Sequence, residues 1–528
     1  MFITAFGIRL YHINQPPLDF APVRQYQLAH SARNYYFEGM ESIPEWRKRI
    51  ARINMERIGV VLEPRIMENA AVLGYRITGG EHLWIPRALS SVFWIVGGIF
   101  LYLTAKRISS PGAALFSTAF YLFLPFGISA SRSFQPDPMM IMMLLCSIFT
   151  ILKHNDQPSK FRLLIAGVIS ALAILVKPYC IFLIFFVFLS LSFLRYGVRK
   201  ALISSNLLIF TILILLPTVM YYVYGILNNV GYLQEQAQAS FLPSLLLQPY
   251  FWKDWLTLIG RVVGYIPFTG ALIGFFLIRD KLARAVLSGL WIGYFVFGLF
   301  FTYHIHTHAY YQLQFIPVVA LSLYPLSMPV KMALSNLFSS RNRILGIGTI
   351  LVVLILGIGL NIQQVHLMRY KDQIKILSAV IGVNPAFRKF LAGDFEKEVK
   401  NAEEIGEIVG HSTNTVFLAA DFGRSLAYNG ELSGLPWPIA ASLRERKERG
   451  LIIPSKEELF NSRYLMIRTH GKYIKYAPDF FIITDFKEFE NQTDLKDFLN
   501  GNFPIIAQNE DYLIFDLRKM SGPDRQSS

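Results

Sequence analysis

About ten separate runs of apolar residues, each near the length that crosses a hydrocarbon layer, constrain this sequence more than any other feature. Such runs occur near 88–105, 112–130, 138–152, 162–176, 179–194, 202–224, 260–278, 285–303, 310–328 and 344–362. A span takes roughly 20 residues because a helix rises 1.5 Å per residue through ~30 Å of hydrocarbon. Inside that layer the backbone has to satisfy its own polar groups, so the runs predict helices. The 53% hydrophobic content of the 528 residues agrees, being too high for an ordinary soluble chain of this length. Residues 1–10 form one further run below the ~17-residue lower limit, and the start of the protein is expected upstream of Met1. That stretch lacks the basic start and the small-residue cleavage site of a signal peptide.

The formal charge of +15 raises the question of nucleic acid, but the basic residues sit in short clusters between apolar runs rather than along one polar face. Nucleic acid is therefore excluded as a partner, and the clusters are read as topology. Lys and Arg in short loops are retained in the cytoplasm. Alternate loops carry Lys106 and Arg107; Lys153, Lys160 and Arg162; Arg195, Arg199 and Lys200; Arg279, Lys281 and Arg284; and Lys331, Arg341 and Arg343. The intervening connections 131–137, 177–178 and 304–309 are placed outside, together with 11–86, 225–259 and everything after about 364. The expectation is a multi-pass protein of the plasma (inner) membrane with an extracytoplasmic C-terminal part. Cys146 and Cys180 both lie inside apolar runs, which argues against a disulfide framework or a thiolate metal site.

Two stretches break the apolar pattern. Residues 11–86 read as a first outer loop with surface helices at 22–38 and 65–78 and an Arg-rich stretch from Arg47 to Arg57 between them. After the last span the composition turns soluble, with a helical pattern at 395–409 and β-rich runs at 415–419, 464–467, 480–484 and 512–516. The predicted architecture is an α-helical polytopic membrane domain over 1–363, with about 10–11 spans, followed by a soluble α/β domain over 364–528.

Several ionisable residues sit at the outer ends of the spans. Asp19 follows Pro16-Pro17 in a rigid turn; a carboxylate held where water is scarce can act as a base toward a hydroxyl, and an Asp there also serves as a helix cap or pairs with Arg24. Glu63-Pro64 opens the second surface helix, either as a working acid or as a partner of the helix N-terminus. Arg132 and Asp137 bracket a short loop at a depth where charge is expensive unless it functions or pairs. Lys177 either holds a phosphate as a point charge or snorkels to the interface. The alternating His304, His306 and His308, followed by Tyr310 and Tyr311, suit a phosphate, a metal or an aromatic interface, in a spacing that matches no zinc pattern.

Taken together, the pattern Pro-Pro-Leu-Asp19-Phe-x-Pro-x-Arg24-Gln25, Glu63-Pro64, Gly-Glu-His-Leu-Trp-Ile-Pro-Arg87, Arg132 with Pro136-Asp137, and His306-Thr-His308-x-Tyr310-Tyr311 resembles the GT-C superfamily of membrane glycosyltransferases. The likeness covers residues 1 to about 363. It points to the bacterial branch similar to dolichyl-phosphate-mannose protein mannosyltransferases and aminoarabinose-lipid A transferases. The resemblance implies transfer of a hexosyl or pentosyl group, with inversion, from a polyprenyl-phosphate donor to a lipid, glycan or protein acceptor at the outer face. It assigns Asp19 as base or acceptor-positioning residue and Asp137 and Glu63 as organising acids. Arg24, Arg87, Arg132, Lys177, His306, His308 and Tyr310 become donor-phosphate or acceptor contacts, and the three acids are expected to meet in one outer cavity. No nucleotide or redox cofactor is required, while a divalent metal is left open. A lipid-linked sugar transporter or flippase would need charges or broken helices at the bilayer midplane and related halves, which the sequence does not display. A catalytically inactive membrane scaffold is the third reading.

Overall fold

The computed structural model describes residues 1–58, 63–227, 241–338, 395–440, 465–469 and 472–518. These fall into two compact units. One holds the described residues of Met1–Ile13, Arg87–Asn229 and Ala237–Ala392, the other those of Asn14–Pro86 and Gly393–Ser528. The expected division after residue 363 follows chain order, whereas the compact units gather the first long loop with the C-terminal part.

The chain opens with α1 (Phe2–Leu10). The long loop then folds as α2 (Pro22–Phe37), α3 (Glu45–Ile58) and α4 (Ile66–Thr78). The first and last match the expected surface helices, and α3 takes up the Arg-rich stretch. The helical unit continues with α5 (Trp84–Ile108), α6 (Pro111–Phe123), α7 (Pro125–Ser131), α8 (Asp137–Asp156), α9 (Lys160–Val176), α10 (Ile181–Tyr196), α11 (Val198–Leu202) and α12 (Ser205–Leu227). After these come α13 (Pro249–Val263), α14 (Tyr265–Leu277), α15 (Lys281–Phe300), α16 (Thr302–Thr307), α17 (Phe315–Ser322) and α18 (Ser327–Phe338). Among the described residues six helical stretches are long and apolar enough to cross a membrane, or eight if each of two bent pairs counts as one span. The 17-residue α9 is a further apolar helix, and the run expected at 344–362 lies outside the described residues.

Both bends have a local cause. Between α6 and α7 the axis turns by 61°. Pro125 has no N–H to give to the carbonyl of Tyr121, and the broken turn exposes neighbouring carbonyls in an apolar setting. Side chains take over: Trp94 Nε1 donates to the Tyr121 carbonyl at 3.4 Å, and Arg9 donates to the Leu122 carbonyl at 2.9 Å and to Ser131 Oγ at 2.6 Å. Between α13 and α14 the turn is 96°, where a single run at 260–278 was expected. Gly264 has φ +81°, a left-handed conformation that ends α13, and a Cβ on Gly260 would lie 2.4 Å from the Tyr265 ring.

Small residues also set the packing of α10 on α15. A Cβ on Gly289 would meet the backbone of Phe186 and Val187 at 2.6 Å, and one on Gly293 would meet Leu183 Cα at 2.7 Å. This spacing of small residues on one helix face lets two backbones approach, as in membrane helix pairs generally.

In the second unit, α19 (Glu396–Ile408), α20 (Arg424–Asn429), α21 (Phe486–Asn491) and α22 (Thr493–Asn502) accompany a five-stranded mixed sheet. Its strands are β1 (Thr415–Leu418), β2 (Gly434–Pro436), β5 (Phe480–Ile483), β6 (Ile505–Gln508) and β7 (Leu513–Asp516), with a separate antiparallel pair β3 (Leu465–Thr469) and β4 (Lys472–Tyr476). The order is β2-β1-β5-β7-β6, with β1 parallel to β2 and β5, and β7 antiparallel to its neighbours. Alternate residues feed two cores: Val416, Leu418, Phe481 and Ile483 pack with Leu495 and Leu499, while Phe417, Phe480 and Ile482 pack with Ala402 and Ile405. Helices on both faces explain why these strands read as continuous apolar runs rather than as alternation.

Candidate functional site

In the helical unit, α8 and α9 are joined by only Gln157-Pro158-Ser159, so the first residue of α8 and the residue after α9 come to the same end. Asp137 and Lys177 occupy those two positions. Lys177 Nζ lies 3.3 Å from Asp137 Oδ2, with the side chains 2% and 1% exposed. Tyr179 donates its hydroxyl to Asp137 Oδ1 at 2.7 Å. The cation beside Asp137 is thus Lys177, buried rather than snorkelling. Arg132, the partner suggested by proximity in sequence, donates to the backbone carbonyls of Tyr11 and His12. Arg87 is fully buried and reaches the carbonyls of Ile13 at 3.1 Å and Arg132 at 3.4 Å. The opposite ends of these helices carry the basic clusters, where Arg107 grips Asp156 with two bonds of 2.8 and 2.7 Å.

The histidine segment reaches the same neighbourhood through Tyr179, whose ring lies 5.1 Å from that of Tyr311. Tyr311 stacks on His304 at 4.6 Å with the planes 3° apart. His306 Nδ1 donates to the Thr302 carbonyl at 2.7 Å, one turn back in α16, leaving Nε2 as its acceptor nitrogen. His308 Nδ1 contacts Thr307 Oγ1 at 2.7 Å, and its ring meets that of Tyr310 edge-on at 5.4 Å. Among the described residues no group of three His, Cys, Asp or Glu side chains could hold a metal ion.

The other two acids belong to the second unit. Asp19 is 4% exposed in the turn before α2. Gln25 closes that turn by donating its amide to the carbonyls of Pro17 at 3.1 Å and Phe20 at 2.6 Å, and Ala21 adopts a left-handed φ of +43°. The helix N-cap is Ala21, with no side-chain cap bond. Glu63, also buried, pairs with Arg24 at 3.3 Å. It does not cap α4, whose N-cap is Arg65 with no side-chain bond. One turn further on, burial, with Glu63 adding to it, pushes the carboxyl of Glu68 up to about 7.

Sequence reasoning passed over Gln27, His30, Arg33 and Arg424 in this unit. Gln27 Oε1 accepts from Arg24 Nη1 at 3.2 Å and from Arg424 Nη1 at 3.2 Å. His30 donates from Nε2 to the Arg424 carbonyl at 3.0 Å, and burial with Arg33 nearby lowers its imidazole to about 3, so it stays neutral. Arg33 pairs with Glu81 at 3.0 Å and lies 3.4 Å from the centre of the Tyr428 ring. Asp421, in the turn after β1, has its carboxyl raised to about 6 by burial.

Comparison with known proteins adds the following. Residues 66–224 match the family model for dolichyl-phosphate-mannose-protein mannosyltransferase. No curated protein matches the sequence significantly. Among solved structures, ArnT from Cupriavidus metallidurans bound to undecaprenyl phosphate aligns with a TM-score of 0.54 at 13% identity, over 98% of this chain and 96% of that one. The apo oligosaccharyltransferase of Archaeoglobus fulgidus aligns with a TM-score of 0.49 at 11% identity, over 91% of this chain and 69% of that one. The expected fold is borne out: this is a multi-pass membrane protein with a GT-C-like fold, and its segment 66–224 carries the mannosyltransferase-family match.

Proposed function

We propose that this protein is an integral membrane glycosyltransferase that moves a hexosyl or pentosyl group, with inversion, from a polyprenyl-phosphate donor to an acceptor at the extracytoplasmic face of the plasma (inner) membrane. The observation that carries the reading is the buried Asp137–Lys177 pair at the span ends remote from the basic clusters. Buried charge at the end of a span is costly and marks function by default. In the reaction a carboxylate takes the proton of the acceptor hydroxyl, the acceptor oxygen bonds to the anomeric carbon, and the bond from that carbon to the phosphate oxygen breaks with its electron pair leaving on the phosphate. Asp19 is the base in this scheme. Asp137 and Glu63 organise the acceptor and phosphate regions, and Lys177, Arg24, Arg87, Arg132, His306, His308 and Tyr310 supply donors and charge toward phosphate or acceptor. The C-terminal α/β part faces the same outer side. The undecaprenyl phosphate in the ArnT structure supports a polyprenyl-phosphate carrier here.

The test is turnover by purified full-length protein in detergent, read by mass spectrometry as loss of a polyprenyl-phosphate sugar and gain of free polyprenyl phosphate. Asp19→Asn is expected to lower turnover by at least about 100-fold while unfolding like the wild type. Unaltered turnover in that variant rejects Asp19 as the base. Reconstituted vesicles that move the intact lipid across the bilayer without chemical change would replace the transferase by a flippase.

A further inference from the structure

A left-handed turn and the short helix that follows it deliver one arginine of the C-terminal part to the first long loop. After β1 the backbone passes through three left-handed residues, Asp421 at φ +51°, Phe422 at +60° and Gly423 at +71°. Two of these are not glycine, a strain of about 1–3 kcal/mol each that persists only where surroundings enforce it. The turn launches α20, whose first residue is Arg424. Its Nη1 donates to the carbonyl of Val23 at 2.9 Å and to Gln27 Oε1 at 3.2 Å, while its own carbonyl accepts from His30. Val23, Gln27 and His30 follow one face of α2 at helical spacing, so that face is built to read this residue.

The contact continues toward an acid. Gln27 Oε1 accepts from Arg424 and also from Arg24, and Arg24 in turn grips Glu63 at 3.3 and 3.5 Å. Two guanidinium groups sharing one neutral oxygen repel each other, and Glu63 supplies the opposing charge. Arg24 is therefore held between Gln27 and Glu63, with Arg424 fixing the Gln27 oxygen that Arg24 shares.

We propose that Arg424 is a positioning residue for the Glu63 carboxylate, acting through Gln27 and Arg24, so that the C-terminal α/β part is a working component of the site and not an appendage to it. Its effect on turnover rests on the transferase reading; its effect on local order does not.

The experiment compares full-length wild type with Arg424→Gln, Arg424→Lys and Glu431→Gln, the last removing a second link between the same segments, Arg47–Glu431, that lies outside the chain of contacts. Two quantities are read: kcat and KM for the polyprenyl-phosphate sugar, and amide hydrogen exchange at 63–68. Arg424→Gln is expected to lower kcat about tenfold with KM within about twofold, the lysine variant to fall between, and Glu431→Gln to stay within about twofold of wild type. Exchange at 63–68 rises in Arg424→Gln and not in Glu431→Gln, while β1 and β5 remain as protected as in wild type. Equal losses in Arg424→Gln and Glu431→Gln, an unchanged kcat, or unchanged exchange at 63–68 overturns the proposal. A wild type that consumes no donor counts against the transferase reading alone, and the exchange data then decide whether Arg424 orders Glu63.

Discussion

Replacing Lys177 by methionine keeps most of its length and removes its charge, leaving Asp137 buried beside an apolar side chain. At the observed 3.3 Å separation and an effective dielectric of about 20, the pair's attraction is about 5 kcal/mol. Much of that offsets the desolvation of the two ions, so the intact pair contributes little net stability, but deleting one partner strands the other. Lys177→Met is therefore expected to destabilise the protein by about 3–5 kcal/mol, and Asp137→Asn by a similar amount. The double variant recovers most of the loss, because neither charge is then left without its partner, and lands within about 2 kcal/mol of wild type. The assay is unfolding in detergent with increasing denaturing surfactant, followed by helical circular dichroism, for all four proteins of the cycle. A single variant within about 0.5 kcal/mol of wild type, or a double variant that loses the sum of the singles, would refute the claim that the two groups answer each other.

Two further outcomes follow from other parts of the molecule. Gly293→Val places a side chain against the backbone of α10, with Leu183 Cα 2.7 Å from the new Cβ, and is expected to cost about 1–3 kcal/mol or more in the same unfolding assay; a valine variant as stable as wild type would show that α10 and α15 can separate freely. Glu68 makes stability depend on pH: its folded value of about 7 exceeds the ordinary glutamate value of 4.5, so the folded form binds more protons between those values and stability falls as pH rises through that window, by roughly 3 kcal/mol in all. Glu68→Gln should remove this one contribution, so that the variant loses less stability than the wild type between pH 4.5 and 7; parallel pH profiles for the two proteins contradict the burial argument.

Much of the helical unit was legible because apolar run length and basic clusters are local properties of the chain. The meeting of Asp137 with Lys177 is readable in the same way: two helices and a three-residue connection return the chain to its starting level, and the residues at those ends face each other. What misled was distance along the sequence. Arg132 lies five positions from Asp137, yet its guanidinium is turned to the carbonyls of Tyr11 and His12. The bend at Gly264 escaped notice because a hydropathy window averages over a single residue whose effect is conformational. In the second unit the strands expected near 415, 464, 480 and 512 are present, while β2, β4 and β6 were missed; strands of three or four residues and the polar-apolar mixture of Lys472–Tyr476 give little pattern to detect. Arg424 was beyond sequence reading altogether, since nothing local to it announces a partner 397 positions away.

The side chain of Arg9 has a bearing on how the protein is made. It belongs to α1, and apart from the Ala5 carbonyl in its own helix the groups that satisfy its guanidinium lie 113 and 122 positions later in the chain. At 5–20 residues per second, roughly 6–24 seconds of synthesis separate the charge from its acceptors. Throughout that interval α1 cannot be released into lipid without exposing an ion to hydrocarbon, so it has to wait at the insertion machinery or the headgroup layer until the proline break arrives to receive it.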